Sequence, residues 1–168
     1  MVFFRRVKTT SVHEIVLILH NIRSIQNVGS LFRTADAIGV REIILSGYTG
    51  VPLDRYGRER LDFAKTALGA QHSVSWRYAK TLGRVLTQLK GEGFSIVGVE
   101  QDNRAVHYKK FKAPSKTALI LGNEVRGLSP ALRRRCDFLV EIPMRGKKES
   151  LNVAVAGGIV LYGLFDTP

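Results

Sequence analysis

From Glu14 to His20 the chain reads EIVLILH, an apolar run without alternation and rich in β-branched residues. That pattern predicts a strand buried on both faces. Apolar positions then recur at Val28, Leu31, Phe32, Ala35 and Ile38. This is helical spacing, with Asn27 placed to cap the start and Gly39 to close the end. The same reading predicts strands at Glu42 to Leu45, Phe94 to Val99, Thr117 to Leu121 and Phe138 to Ile142. Helices are expected at 58–68, Leu82 to Leu89, a short one from Ser129-Pro130, and Asn152 to Phe165. Strands alternating with helices predict an α/β fold, a mostly parallel sheet flanked by helices. Ligands of such sheets bind outside the carboxyl ends of the strands. The longest apolar run, Leu151 to Phe165, is interrupted by Asn152 and Gly157-Gly158. It is short for a bilayer span and reads as a buried helix, so no membrane partner is expected.

Composition changes this picture in one respect, the charge. The 168 residues carry 26 Lys and Arg against 14 Asp and Glu, a formal +12. A surface of that sign attracts polyanions through long-range field and counterion release. RNA or DNA leads as partner, ahead of an anionic membrane surface. The cations cluster at Arg5-Arg6-Lys8, Lys109-Lys110-Lys112, Arg133-Arg134-Arg135 and Arg145-Lys147-Lys148. One such cluster is ordinarily a solvated face; four with this excess favour nucleic acid. The length suits one domain over residues 1–168. Cys136 is the one cysteine, which excludes an internal disulfide and fits a reducing compartment. His13, His20, His72 and His107 are scattered, with no metal-binding spacing, so no metal is expected. The opening MVFFRRVKTT lacks the apolar stretch of a signal peptide, and a cytoplasmic location is expected.

Signatures of phosphate-loop NTPases, dinucleotide oxidoreductases and α/β-hydrolases are absent. Polar residues gather instead after three predicted strands. The first group runs from Asn21 to Arg33 and includes Asn27 and Gly29. A second, Gly122-Asn123-Glu124-Val125-Arg126-Gly127, follows TALIL. A third runs from Ile142 through Arg145 and Lys148 to Ser150-Leu151-Asn152. Each taken alone is ordinary: a capped helix, a Gly-Asn turn, and a basic loop with Ser150 capping the next helix. Together they follow buried strands and precede helices, so they should converge on one edge of the sheet.

These segments resemble the SpoU/TrmH family of SPOUT-class RNA 2′-O-ribose methyltransferases. The motifs are NVGSLFRTADAIG at Asn27 to Gly39, LILGNEVRGLSP at Leu119 to Pro130, and IPMRGKKESLNVAVAGGIVLYG at Ile142 to Gly163. The resemblance covers about Ile15 to Leu164. It implies a deep C-terminal trefoil knot, S-adenosylmethionine as methyl donor without a metal, tRNA or rRNA as substrate, and a homodimer. It assigns the donor to knot loops containing Val99, Glu100, Leu121, Gly122, Ile142, Met144, Ser150 and Leu151. It assigns catalysis to Arg33, with Asn27, Glu124, Ser150 and Asn152 orienting that arginine, the ribose and the target nucleotide. A hydroxyl is a weak nucleophile that needs a base, and a guanidinium is normally protonated, an unusual base that more readily holds a phosphate. A non-catalytic RNA-binding module and a base-directed methyltransferase are the alternatives. The Asn-x-Gly-x-x-x-Arg pattern favours ribose.

Overall fold

The computed structural model describes residues 13–165. The Arg5-Arg6-Lys8 cluster lies outside the described residues. Among these, seven strands form one sheet: β1 (Glu14–His20), β2 (Glu42–Ser46), β3 (Trp76–Ala79), β4 (Ser95–Val99), β5 (Val106–His107), β6 (Lys116–Leu121) and β7 (Phe138–Glu141). Their spatial order is β3-β2-β1-β6-β4-β7-β5, and every pairing is parallel. The helices are α1 (Ile25–Ile38), α2 (Leu61–Ala67), α3 (Ala70–Ser73), α4 (Leu82–Gly91), α5 (Pro130–Arg133) and α6 (Val153–Phe165).

The continuous apolar strands are explained by layers on both faces. Leu17 and Leu19 of β1 join Ile43, Leu45, Leu119 and Leu121 under α1, α2 and α6, against Leu31, Phe32, Phe63 and Leu161. Val16 and Ile18 point the other way, with Ile44, Ile96 and Ile120, onto Leu82, Val85, Leu86 and Leu89 of α4. Phe32 meets Phe63 edge-on, ring centres 5.0 Å apart, locking α1 to α2.

Several boundaries differ from those the sequence predicts. α1 begins two residues before Asn27, because Ser24 caps it: the Ser24 hydroxyl accepts from Asn27 N at 3.2 Å. Asn27 therefore sits inside the first turn with its side chain released for other work. α2 starts at Leu61 rather than 58. Asp54 holds the preceding residues in a turn, accepting from the backbone N–H of Tyr56 and Arg58 and from Arg58 Nε. α6 is capped by Asn152, not Ser150; Asn152 Oδ1 accepts from Ala154 N at 2.9 Å and Val155 N at 3.3 Å. Strands β3 and β5 and the short α3 are absent from the sequence reading. β3 is an edge strand of four residues containing Arg77, and β5 has two residues. Neither is long enough to show a period.

Candidate active site

The carboxyl ends of β1, β4, β6 and β7 meet at one edge, and the three polar loops converge there. Glu124 is the hub. One of its oxygens accepts from Arg23 N at 2.9 Å. The other accepts from Ser24 N at 2.9 Å and from Asn27 Nδ2 at 3.3 Å. Burial alone would raise the Glu124 pKa, but the backbone donors of Arg23 and Ser24, helped by the Asn27 amide, outweigh it and hold the carboxyl below its ordinary value. Glu124 is thus a constant acceptor and a poor proton acceptor at neutral pH. Asn27 in turn accepts from Asn152 Nδ2 at 3.0 Å.

The loop after β6 is built around Asn123, which is 8% exposed. Its Oδ1 accepts from Val125 N and Arg126 N at 3.0 and 2.8 Å, while its Nδ2 donates to Asn21 O and to the Tyr48 hydroxyl. Gly122 has no room for a side chain: a Cβ there would stand 2.7 Å from the Gly127 carbonyl. From the other side Glu100 accepts from Leu128 N at 2.5 Å. The loop is therefore held at both ends.

Two cavities adjoin at this edge. The first, about 360 Å³, is lined by all eight residues expected to hold the donor: Val99, Glu100, Leu121, Gly122, Ile142, Met144, Ser150 and Leu151. It falls at the small end of the usual range for ligand sites. Its apolar lining suits an adenine ring. Glu100, Glu124, Glu141 and Glu149 border it, with no Lys or Arg among the lining residues. On a chain of net charge +12, that acidic lining suits a donor carrying sulfonium and ammonium charges. The second cavity is an open groove lined by Arg23, Ser24, Asn27, Glu124, Ser150, Leu151 and Asn152, among others. Ser150 borders both cavities, and its hydroxyl has no hydrogen-bond partner among the described residues.

Four of the five residues expected to act on the ribose thus surround one groove. Arg33 does not. It is exposed on α1, borders neither cavity, and makes no hydrogen bond or ion pair with the described residues. Six residues of helix carry it about 120° around the axis from Asn27. Sequence reasoning missed Asn123 as the organiser of its loop, and Gln101, whose side chain donates to Glu149 O at 2.8 Å across the mouth of the first cavity. Asn123 carried a signal, since Gly-Asn at a strand end is turn chemistry. Gln101 carried none.

The basic clusters separate into spent and free cations. Arg133 pairs with Asp102 at 3.1 Å, and Arg135 donates to Gly83 O and Thr87 Oγ1. Arg145, Lys147 and Lys148 are exposed on the loop beside the first cavity. Among the described residues no three His, Cys, Asp or Glu side chains gather as a metal site, and no helix is long and apolar enough to cross a membrane.

The profile of the SpoU rRNA Methylase family matches residues 14–162. The chain belongs to this family. A TrmH family tRNA/rRNA methyltransferase of Staphylococcus aureus is 35% identical over 150 residues, covering 89% of this chain and 58% of that protein. The chain thus spans somewhat over half the length of that relative. The solved S-adenosylmethionine-bound rRNA methyltransferase of Sinorhizobium meliloti superimposes with a TM-score of 0.80 at 30% identity, over 90% of this chain and 55% of that one. A structure described for 2-OH methylation of C/U34 on tRNA superimposes with a TM-score of 0.79 at 26% identity, over 92% and 95% of the two chains. The parallel seven-stranded sheet with helices on both faces is therefore the SpoU/TrmH fold, and all of the motif residues but Gly163 fall within the matched region.

Proposed function

We propose that this SpoU family member transfers a methyl group from S-adenosylmethionine to a ribose 2′-hydroxyl of tRNA or rRNA. The observation that carries the reading is the groove: Asn27, Glu124, Ser150 and Asn152 face it, and it shares Ser150 and Leu151 with a cavity whose lining fits the donor. The match to an S-adenosylmethionine-bound relative and to a structure associated with 2-OH methylation supports it.

The donor, when bound, supplies an electrophilic methyl group. Val99, Leu121, Ile142, Met144 and Leu151 would hold its adenine end, and Gly122 would let backbone approach it closely. Glu100 and the neighbouring carboxylates would favour its positive charge. On the groove side, Ser150 and Asn152 would position the nucleotide, while Glu124 fixes Asn27 and the first turn of α1. Positioning of this kind supplies much of the acceleration of an in-line transfer. Arg33 is the family's catalytic position by resemblance. Its place outside both cavities fits a homodimer in which Arg33 of one copy completes the groove of the other. A homodimer is supported by Val155 and Tyr162 of α6, half-exposed apolar residues seven positions apart on one helix face. We include the deep knot and a cytoplasmic location in the same reading.

Calorimetry with S-adenosylmethionine in the presence of a chelator, followed by transfer of labelled methyl to a mixed tRNA and rRNA pool, tests it. Binding without metal and RNA-linked label are expected. Folded protein that takes up no donor at millimolar concentration would refute it.

A further inference from the structure

Beside the groove, on the β2–β3 side of the sheet edge, stand two exposed tyrosines. Tyr48 follows β2 and is 59% exposed; Tyr78, on β3, is 48% exposed. Both hydroxyls are tied down, that of Tyr78 to the turn after β2 and that of Tyr48 to the Gly122–Gly127 loop. Tyr78 Oη donates to Gly47 O at 2.7 Å, and Tyr48 Oη accepts from Asn123 Nδ2 at 2.9 Å. The turn itself is rigid. Gly47 has φ +66°, and a Cβ there would collide with Asn21 Oδ1, which accepts from Tyr48 N. The rings are therefore held by their polar tips while their apolar faces meet solvent. Among the described residues neither ring stacks on another ring or lies under a cation. Two arginines flank the same edge. Arg23 borders the groove, Arg126 lies on the Gly122–Gly127 loop, and both are exposed with guanidinium groups free of hydrogen bonds and ion pairs among the described residues.

We propose that Tyr48 and Tyr78 form a base-stacking platform for unpaired nucleotides next to the target nucleotide, with Arg23 and Arg126 holding the adjoining phosphates. The inference rests on the proposed function and names the form of RNA that the site takes. Fixed, exposed aromatic faces beside unpaired cations match how single-stranded nucleic acid is held, because every base offers a π-face while a duplex hides its faces in the stack. The net charge of +12 favours a polyanion over a protein partner.

The test compares Tyr48→Phe with Tyr48→Leu and Tyr78→Phe with Tyr78→Leu. Each pair loses the hydroxyl equally, so the difference within a pair isolates the ring. Anisotropy at low salt measures binding to an unstructured RNA of about twelve nucleotides, a length near the site size of single-strand binders, and to a blunt RNA duplex of the same length. Each leucine variant should bind the single strand about fivefold or more weakly than its phenylalanine counterpart, the low end for a lost base stack. The duplex should show no such difference. Equal single-strand affinities within both pairs, in a protein that still binds and methylates RNA, would overturn the platform alone. No RNA binding by the unmodified protein would overturn both the platform and the proposed function. Self-association lost in the leucine variants with RNA affinity intact would place a second copy of the chain on this face and overturn the platform.

Discussion

Asn152 Nδ2 donates to Asn27 Oδ1 over 3.0 Å, joining the cap of the last helix to the first turn of the first across 125 positions of sequence. The polarity of this contact is fixed from both ends. Backbone N–H groups of Ala154 and Val155 require Asn152 Oδ1 to accept, and the Glu124 carboxylate requires Asn27 Nδ2 to donate. Neither amide can turn over without losing a bond, so both present one defined edge to the groove.

Asn27→Asp tests this polarity. It sets a second carboxylate against Glu124 and should lower thermal stability at neutral pH more than Asn27→Ala. The alanine variant loses two hydrogen bonds, to Glu124 and from Asn152, each worth about 0.5–1.5 kcal/mol. The additional loss in the aspartate variant should shrink as pH falls and one carboxyl of the pair protonates. In the wild type, Glu124 stabilises the fold above the ordinary glutamate pKa, and that stabilisation disappears as pH falls through its lowered folded value. Melting temperatures of the three proteins from pH 4 to 8 check both expectations. Equal behaviour of the aspartate and alanine variants would contradict them.

His20 is half-buried, and burial lowers its pKa from the ordinary 6.5. Its Nδ1 lies 2.9 Å from Ser46 Oγ, and its Nε2 lies 3.0 Å from Asn21 Nδ2, an amide that donates. The neutral ring is the form that fits. A depressed folded pKa gives stability that is complete above 6.5 and declines as pH drops from there through the folded value. NMR titration should show His20 protonating below 6.5. Titration at or above that value would contradict the burial argument.

Gly122→Ala should disrupt donor binding, because its Cβ would press on the Gly127 carbonyl, which belongs to the same pinned loop. Calorimetry should show S-adenosylmethionine affinity reduced at least tenfold, about 1.4 kcal/mol, with the protein still folded. Unchanged affinity would show that the loop yields more readily than its hydrogen bonds suggest.

Arg33→Lys and Arg33→Ala should both fail in single-turnover methylation, since a lysine cannot reproduce the planar, multi-donor guanidinium. Donor binding should be preserved in each, because Arg33 borders neither cavity. Mixing an Arg33→Ala protein with a Glu124→Ala protein should restore part of the activity if one copy's Arg33 completes the other's groove. A near-normal rate for Arg33→Ala alone would remove it from the mechanism.

Much of the fold was legible because its strands are buried on both faces: runs such as EIVLILH and KTALIL have no solvent side to obscure them. The eight residues that the motif resemblance assigns to the donor line one cavity, which follows from the strand ends they occupy. Helix starts were less so. Ser24, Asn27, Ser150 and Asn152 are all good caps, and only tertiary contacts decide which of them caps and which is left for the groove. β3 escaped because an edge strand pairs on one side only and tolerates Arg77, whose Nε donates to Glu42 at 2.9 Å. The position of Arg33 relative to the groove depends on helix phase, which a motif written as letters does not display.

The central claim concerns where the methyl group goes. RNA methylated by the protein with labelled S-adenosylmethionine, digested to nucleosides and resolved by mass spectrometry, answers it directly. The account predicts methyl on the ribose of a single nucleotide and a phosphodiester resistant to alkali on its 3′ side. Methyl found on a base, or no transfer by protein that binds both donor and RNA, would contradict it.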